Sequence, residues 1–439
     1  MAIRSGRSTA PPVGAEADGT AATRFEDAPA LPELMPWSSP ALHTGREWVR
    51  APSTEILEAR WERLAAANAG QRSALFRPTR ARTPHSTVTQ LPGQRTPTGR
   101  LSREAGPFPA PVRIRHGAFD RLWLLPDHRL LDQARPQLWR VADDAQVFAV
   151  VQPHTPEAPG PAVTFCAEIP DGDGRRQNSP VFPAHRLPGG REPNLAPGLT
   201  GHLADRLGVP VTGLDVLAWI AAVTAHPAAA RNGERVPVPL TASVATWSKG
   251  TALGRQVLWL HTFGARCADP EQGRPPRGPR MPGGRRLFVR RSVPARPLPG
   301  GLDHDPDGEA LLLGDGRIAP VPGAVWEYRA GGVPVLREWF ARRSPNQESV
   351  EAGSLEAIRM TAWPQTWTTE LIELASVLSL LCELRPAQAA LTASALSGPL
   401  VTTGELRAAG VLPAPAWSGR PASVLSHQEE GPEGQFPLF

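Results

Sequence analysis

Lysine is almost missing from this chain. Lys249 stands alone among 439 residues, so nearly all of the positive charge is arginine. Such a skew also follows from base composition, so arginine content by itself argues little. Tyr328 is the single tyrosine. Cysteine is scarce as well: Cys166, Cys267 and Cys382 are odd in number, far apart and free of any C-x-x-C. That pattern excludes a disulfide framework and a thiolate zinc site, and reads as buried thiols of a reducing cytoplasm. No run reaches the roughly 18 apolar residues of a membrane span, and no N-terminal stretch resembles a signal peptide. The expectation is a cytoplasmic chain with no membrane partner.

Motifs of catalysis are absent too. There is no G-x-x-x-x-G-K-[S/T] for ATP, no G-x-S-x-G, no H-E-x-x-H, and no N-P-P-Y or D-P-P-Y. Asp303-His304-Asp305-Pro306-Asp307-Gly308 opens like a calcium loop, but Gly314 stands where a bidentate Glu is needed. Gly314-x-Gly316-x-x-Ala319 mimics a dinucleotide fingerprint, yet Pro320 blocks the helix that must follow. His43, His226 and His261 sit singly beside apolar residues, where a structural histidine is the plainer reading. No cofactor or metal is expected. The chain reads as a binding module and not an enzyme.

Proline and glycine are abundant, at 51 and 41 residues, which favours many short elements and long turns. The hydrophobic fraction of 41% is a globular value, and the length allows two or three domains. The net charge of +5 is unevenly spread. From Arg72 to Arg121 ten Arg face only Glu104 and Asp120, and from Arg255 to Arg296 ten Arg face only Asp269 and Glu271. The remainder is acidic. Two basic blocks suit a polyanion, because neutralising phosphates is the main sequence-independent source of DNA affinity. Solvated Arg/Pro/Gly loops would give the same composition.

Residues 1–34 read as a disordered tail. Ser53 or Thr54 caps a helix with Leu57, Trp61, Leu64 and Ala65 in one stripe, ending near Gly70. Residues 72–110 show no period and read as a linker or long loop. From Arg113 to Leu131, Ile114, Phe119, Leu122, Leu124 and Leu125 interleave with Arg113, Arg115, His116, Arg121 and Arg129 at strand spacing, with the turn expected at Pro126-Asp127. Further strands are expected at 138–140, 146–152, 162–169 and 181–183. Helices are expected at 200–207, from the Thr212/Asp215 capping box to Pro227, and at 244–263. Hairpins should form at Gly314-Asp315-Gly316 and at Gly331-Gly332, followed by a short helix from Arg337. A last helix carries Leu371, Leu374, Leu378 and Leu381 and should stop at Pro386. The fold class is α+β: mixed short-stranded sheets with packed helices, an N-terminal helical linker and disordered termini.

Several pieces occur in a telling order. They are M-P-W-S-S-P-A-L-H-T-G-R-E-W (35–48) with the helix through Arg60-Trp61, F-D-R-L-W (119–123) and E-P-N (192–194). L-A-W-I-A-A-V-T-A-H-P (217–227), L-G-R-Q-V-L-W-L-H-T-F-G (253–264), P-G-A-V-W-E-Y (322–328) and V-L-R-E-W-F-A-R-R (335–343) follow. Together they resemble the C-terminal specificity region of type ISP restriction–modification enzymes, in which a nuclease, an ATPase and an adenine methyltransferase precede a target-recognition domain. The resemblance implies a domain that reads a short DNA site, with double-stranded DNA and a methyltransferase or restriction subunit as partners. Those catalytic parts are not in this sequence, and Met1 with its leader suggests a separate gene product. The implied division is a docking segment and linker at 35–100, an α+β target-recognition domain at 101–350, a helical segment at 351–398 and a flexible tail at 399–439.

On this reading Arg113, Arg115, Arg121 and Arg129 form the DNA face, and Arg175, Arg176, Arg342 and Arg343 add phosphate or base contacts. Trp123 is expected in the core. Trp37, Trp48 and Trp61 would be exposed on a lone domain and would dock the methyltransferase. The alternative is a non-catalytic protein-interaction module that has lost DNA reading. A third reading, an enzyme with an unrecognised site, would show itself as acidic or His clusters converging in a pocket.

Overall fold

The computed structural model describes residues 25–153, 160–172, 179–225, 235–267, 279–344 and 350–422. Helices used below are α1 (Thr54–Ala66), α2 (Leu199–Leu207), α3 (Gly213–Val223), α4 (Val244–His261), α5 (Val335–Ala341) and α6 (Gln365–Ser397). Two hydrophobic cores are divided by a sheet ordered Ser39–Pro40, Pro180–Pro183, Phe148–Val151, Val163–Cys166. Side chains alternate across a strand. Phe148 and Val150 therefore enter the first core, while Ala149 and Val151 enter the second.

The first core gathers Trp37, Trp48, Leu57, Trp61, Phe76, Ile114, Leu122 and Leu124. Ser53 caps α1 by accepting the Ile56 N–H, and the stripe Leu57, Trp61, Leu64 is buried. The 113–131 stretch does form a hairpin, Val112–His116 against Asp120–Leu124, with Ile114 opposite Leu122. Its reversal lies at Gly117–Phe119, where Gly117 takes φ 64°, and not at Pro126-Asp127. Burial alternates without a break from Asp120 to Leu124, so the second strand starts well before the proline and ends at Leu124. Asp127 instead caps a single 3-10 turn, His128–Leu130.

The second core is built on α3, α4 and α6. Gly254 lets α3 and α4 touch, since a Cβ there would stand 1.7 Å from the Ala218 carbonyl oxygen. The Thr212/Asp215 capping box starts α3 as expected. Helix α6 runs straight through Pro386. Beyond the proline Leu391, Ala395 and Leu396 are buried, and the Gln388 amide donates to the Ala221 and Ala222 carbonyls at 3.1 and 3.2 Å. Packing on both sides outweighs the lost hydrogen bond. One window of α6 is long and apolar enough to cross a membrane, but half of it is buried, with Leu371, Leu374, Leu378 and Leu381 in the core.

Other expectations shift. Residues Pro136–Val141 form a helix and not a strand, because Pro136 pre-sets its first turn. Only Arg329–Ala330 and Val333–Pro334 pair around Gly331-Gly332, and Gly323–Trp326 is helical. The ends are tied down where described. Leu31 and Leu34 are buried, Leu400–Val401 pairs with Leu240–Thr241, and Thr403 N–H donates to the Asp27 carbonyl at 2.9 Å. Tail character expected for residues 1–24 and 423–439, like His226 and the stop at Pro227, lies outside the described residues.

Candidate nucleic-acid interface

The arginines of the 113–131 hairpin are spent inside the protein. Arg115 is 1% exposed and pairs with Glu168 at 2.8 Å. Arg129, also 1% exposed, forks onto Asp127 and donates to the Glu104 and Ala105 carbonyls at 3.0 and 2.7 Å. Arg343 is buried and pairs with Asp120 at 3.0 Å and Glu370 at 3.2 Å. These three are corrected from DNA-face residues to structural ones, since a buried guanidinium needs its counter-charge and hydrogen bonds where it stands. Arg113 and Arg121 are half-buried and already neutralised by Glu370 and Glu373 of α6. Arg342 reaches Asp120 at 3.4 Å and Glu338 at 3.3 Å. Burial alone would raise the Asp120 carboxyl, but Arg343 and Arg342 hold it below its ordinary value. Trp123 is half-buried beneath the Arg113 guanidinium. Arg175 and Arg176 lie outside the described residues.

The tryptophans are corrected as well. Trp37, Trp48 and Trp61 are 1%, 0% and 3% exposed, so none offers a docking surface. The sheet that closes over residues 37–64 comes from far along the chain, which a local reading cannot see. Trp37 is fixed by the buried Asn194, which accepts its N–H at 3.0 Å and donates to its carbonyl at 2.7 Å.

A different basic surface emerges. Between Arg77 and Arg103 there are six arginines and no Asp or Glu. Expected as a linker, the segment is held to the first core. It doubles back so that Ser102 N–H donates to the Pro84 carbonyl at 2.8 Å and Val88 N–H to that of Thr98 at 3.1 Å. Leu91 and Leu101 are buried. Buried Arg46 donates to the carbonyls of Phe76, Arg82 and Leu130 at 3.0, 3.2 and 2.6 Å. Arg129 grips the far end at Glu104 and Ala105. His128 Nδ1 donates to the Thr89 carbonyl at 2.9 Å, which leaves Nε2 to accept from Arg82 Nη2 at 3.1 Å. That pair of partners selects the neutral Nδ1–H tautomer.

Outward from this platform point Arg80, Arg95, Arg100 and Arg103. All four are exposed and their side chains have no partner among the described residues. His85, Thr87 and Gln90 are exposed between them. The result is a row of exposed donors, on a run without Asp or Glu from 77 to 103, whose backbone is ordered in advance, as phosphate and base-edge contacts require.

The sequence matches the model of the type ISP C-terminal specificity domain over residues 33–374. The chain belongs to this family. It matches no curated protein. Among solved structures it is similar to the chain in the cryoEM structure of a DrdV–DNA complex, with a TM-score of 0.53 and 16% identity, covering 84% of this chain and 36% of that one. It is also similar to the ATP-dependent Type ISP restriction-modification enzyme LlaBIII bound to DNA, with a TM-score of 0.52 and 13% identity, covering 84% of this chain and 24% of that one. The chain thus spans about a third and a quarter of their lengths, and at such identities the likeness is one of fold.

In this type ISP specificity domain no group of three or more His, Cys, Asp or Glu side chains converges to hold a metal, among the described residues. His261 is buried and its Nδ1 accepts the Phe165 N–H at 3.0 Å; burial, with Arg115 nearby, pushes its pKa down to about 3. It is a neutral structural ring.

The clamp on the platform makes a prediction. Arg129→Met leaves the fully buried Asp127 unpaired and frees the Glu104 and Ala105 carbonyls. Breaking one side of a buried pair costs about 3–5 kcal/mol. Hydrogen exchange across 84–105 should quicken; unchanged protection there would refute the clamp.

Proposed function

We propose that this chain is the DNA-reading specificity module of a type ISP-like restriction–modification system. It recognises a short duplex site for a methyltransferase or restriction subunit on another polypeptide, and contributes recognition, not chemistry. Arg80, Arg95, Arg100 and Arg103 neutralise phosphates and set the register on the duplex. From that register an arginine reaches guanine O6/N7, and Gln90 or Gln94 reaches adenine. The carrying observation is the clamped platform: four exposed guanidiniums, without partners among the described residues, on a segment whose carbonyls Arg46, His128 and Arg129 hold in place. Family membership and the DNA-bound state of the two similar structures support the same reading.

The test is selection of random-sequence duplexes by the purified full chain, alone and in excess competitor. Enrichment of one short motif is the expected result. Binding that enriches nothing would reduce the chain to a sequence-blind DNA binder. No retention of duplex at low salt would leave the protein-interaction module in its place.

A further inference from the structure

The second basic block is partly ordered, and it sits on the open edge of a sheet. Strand Phe288–Arg291 is the outer member of a four-stranded sheet and, among the described residues, pairs only with Gly316–Ala319. Between residues 279 and 296 there are six arginines and no Asp or Glu. Arg285 pairs with Glu383 of α6, and Arg296 donates to the Thr361 hydroxyl at 3.4 Å. Arg280, Arg286, Arg290 and Arg291 are exposed, with no ion-pair or hydrogen-bond partner among the described residues. The guanidinium of Arg290 lies 4.1 Å over the ring of Phe288, itself 42% exposed.

Charged edges commonly serve only to keep strands from pairing with other chains. One or two charges suffice for that, and four exposed arginines without ion-pair partners among the described residues go beyond it. The two basic segments are also anchored at neighbouring points of the chain. The platform is rooted at Glu356, which pairs with Arg77 at 3.1 Å. The edge strand is rooted at Thr361 through Arg296, and at Trp363, whose N–H donates to the Ala295 carbonyl at 2.8 Å. Glu356 and Thr361 are five positions apart, so their Cα atoms stand at most about 18 Å apart at ~3.6 Å per residue. One turn of B-DNA is about 34–36 Å long. The two anchor points therefore stand within about half a DNA turn of each other.

Building on the reading of the platform as the DNA surface, we infer that the Arg286–Arg291 edge is a second phosphate-binding surface for duplex flanking the recognised site. It adds affinity and footprint through phosphate contacts, which position the duplex without reading its sequence.

The experiment measures salt dependence of binding to random duplexes of about 10 and about 30 base pairs by fluorescence anisotropy, with the full chain. It compares the wild type, Arg286→Ala/Arg290→Ala/Arg291→Ala, and the platform variant Arg80→Ala/Arg95→Ala/Arg100→Ala/Arg103→Ala. Each lost phosphate contact lowers the log–log slope by about 0.9. On the long duplex the edge variant should lose two to three such steps, while on the short duplex its slope stays near that of wild type. An edge variant that binds long duplex like wild type overturns this inference and leaves the platform reading standing. Self-association of that variant with DNA binding intact does the same, and shows the arginines to be edge guards. A platform variant with no loss on either duplex overturns the platform reading itself.

Discussion

Replacing Arg80, Arg95, Arg100 and Arg103 together by alanine is expected to lower affinity for duplex DNA on the order of a thousandfold at about 0.1 M salt. Each neutralised phosphate contributes ~0.9 to the slope of log affinity against log salt, so one contact is worth roughly eightfold between about 0.1 and 1 M. Four contacts then reach the stated size, and the slope should fall by about three to four. The fold should survive. These side chains are exposed and partnerless among the described residues, and surface changes of that kind stay within about 0.5 kcal/mol each. A loss under about tenfold with an unchanged slope would remove phosphate binding from this loop.

Asp120→Asn should produce the largest loss of stability of any conservative substitution in the hairpin. Asp120 is 4% exposed and takes Arg343 at 3.0 Å and Arg342 at 3.4 Å. Asparagine keeps the size but removes the charge, leaving Arg343 with Glu370 as its remaining ion-pair partner at 3.2 Å. Breaking such a buried pair costs about 3–5 kcal/mol, readable as a shift of the urea midpoint. The double variant with Arg343→Met should lose less than the sum of the single losses, because the two groups act on each other. The pH dependence has a definite sign. Arg343 and Arg342 hold the Asp120 carboxyl below its ordinary value against the opposing effect of burial. Its stabilisation is therefore complete above the ordinary aspartate value of about 3.9 and is lost as pH falls through the lower folded value. Wild type should weaken on acidification from about pH 4 downward, and the variant less so. Equal stability of the two proteins at neutral pH would show the pair to be dispensable.

Local rules read the sequence well wherever neighbours decide. The Ser53 cap, the Thr212/Asp215 box and the Gly314-Asp315-Gly316 turn stand where their chemistry places them. Long-range packing set much of what was missed. Pro386 stays inside a helix because Gln388 and Leu391 beyond it are held by the second core. The partner of Arg129 is Asp127, two residues away, whereas Arg113, Arg115 and Arg121 looked like a nucleic-acid face because their counter-charges, Glu370, Glu168 and Glu373, are remote in sequence. The tryptophans looked exposed for the same reason. The platform was the reverse case. Its acid-free run was visible in composition, but its order depends on Arg46, His128 and Arg129 meeting its carbonyls from outside the segment. Buried arginine here is a structural tool, so in a chain this poor in lysine the type of residue cannot mark the site.

That division among the arginines is best tested by one side-by-side measurement. Salt titrations of duplex binding would compare the fourfold platform variant with Arg113→Gln/Arg121→Gln on the hairpin, both checked for intact fold by circular dichroism. The expected result is a shallower slope for the platform variant alone, with the hairpin variant less stable but binding DNA with the wild-type slope. A shallower slope for a folded hairpin variant, with the platform variant unchanged, would contradict it and return the DNA face to the hairpin.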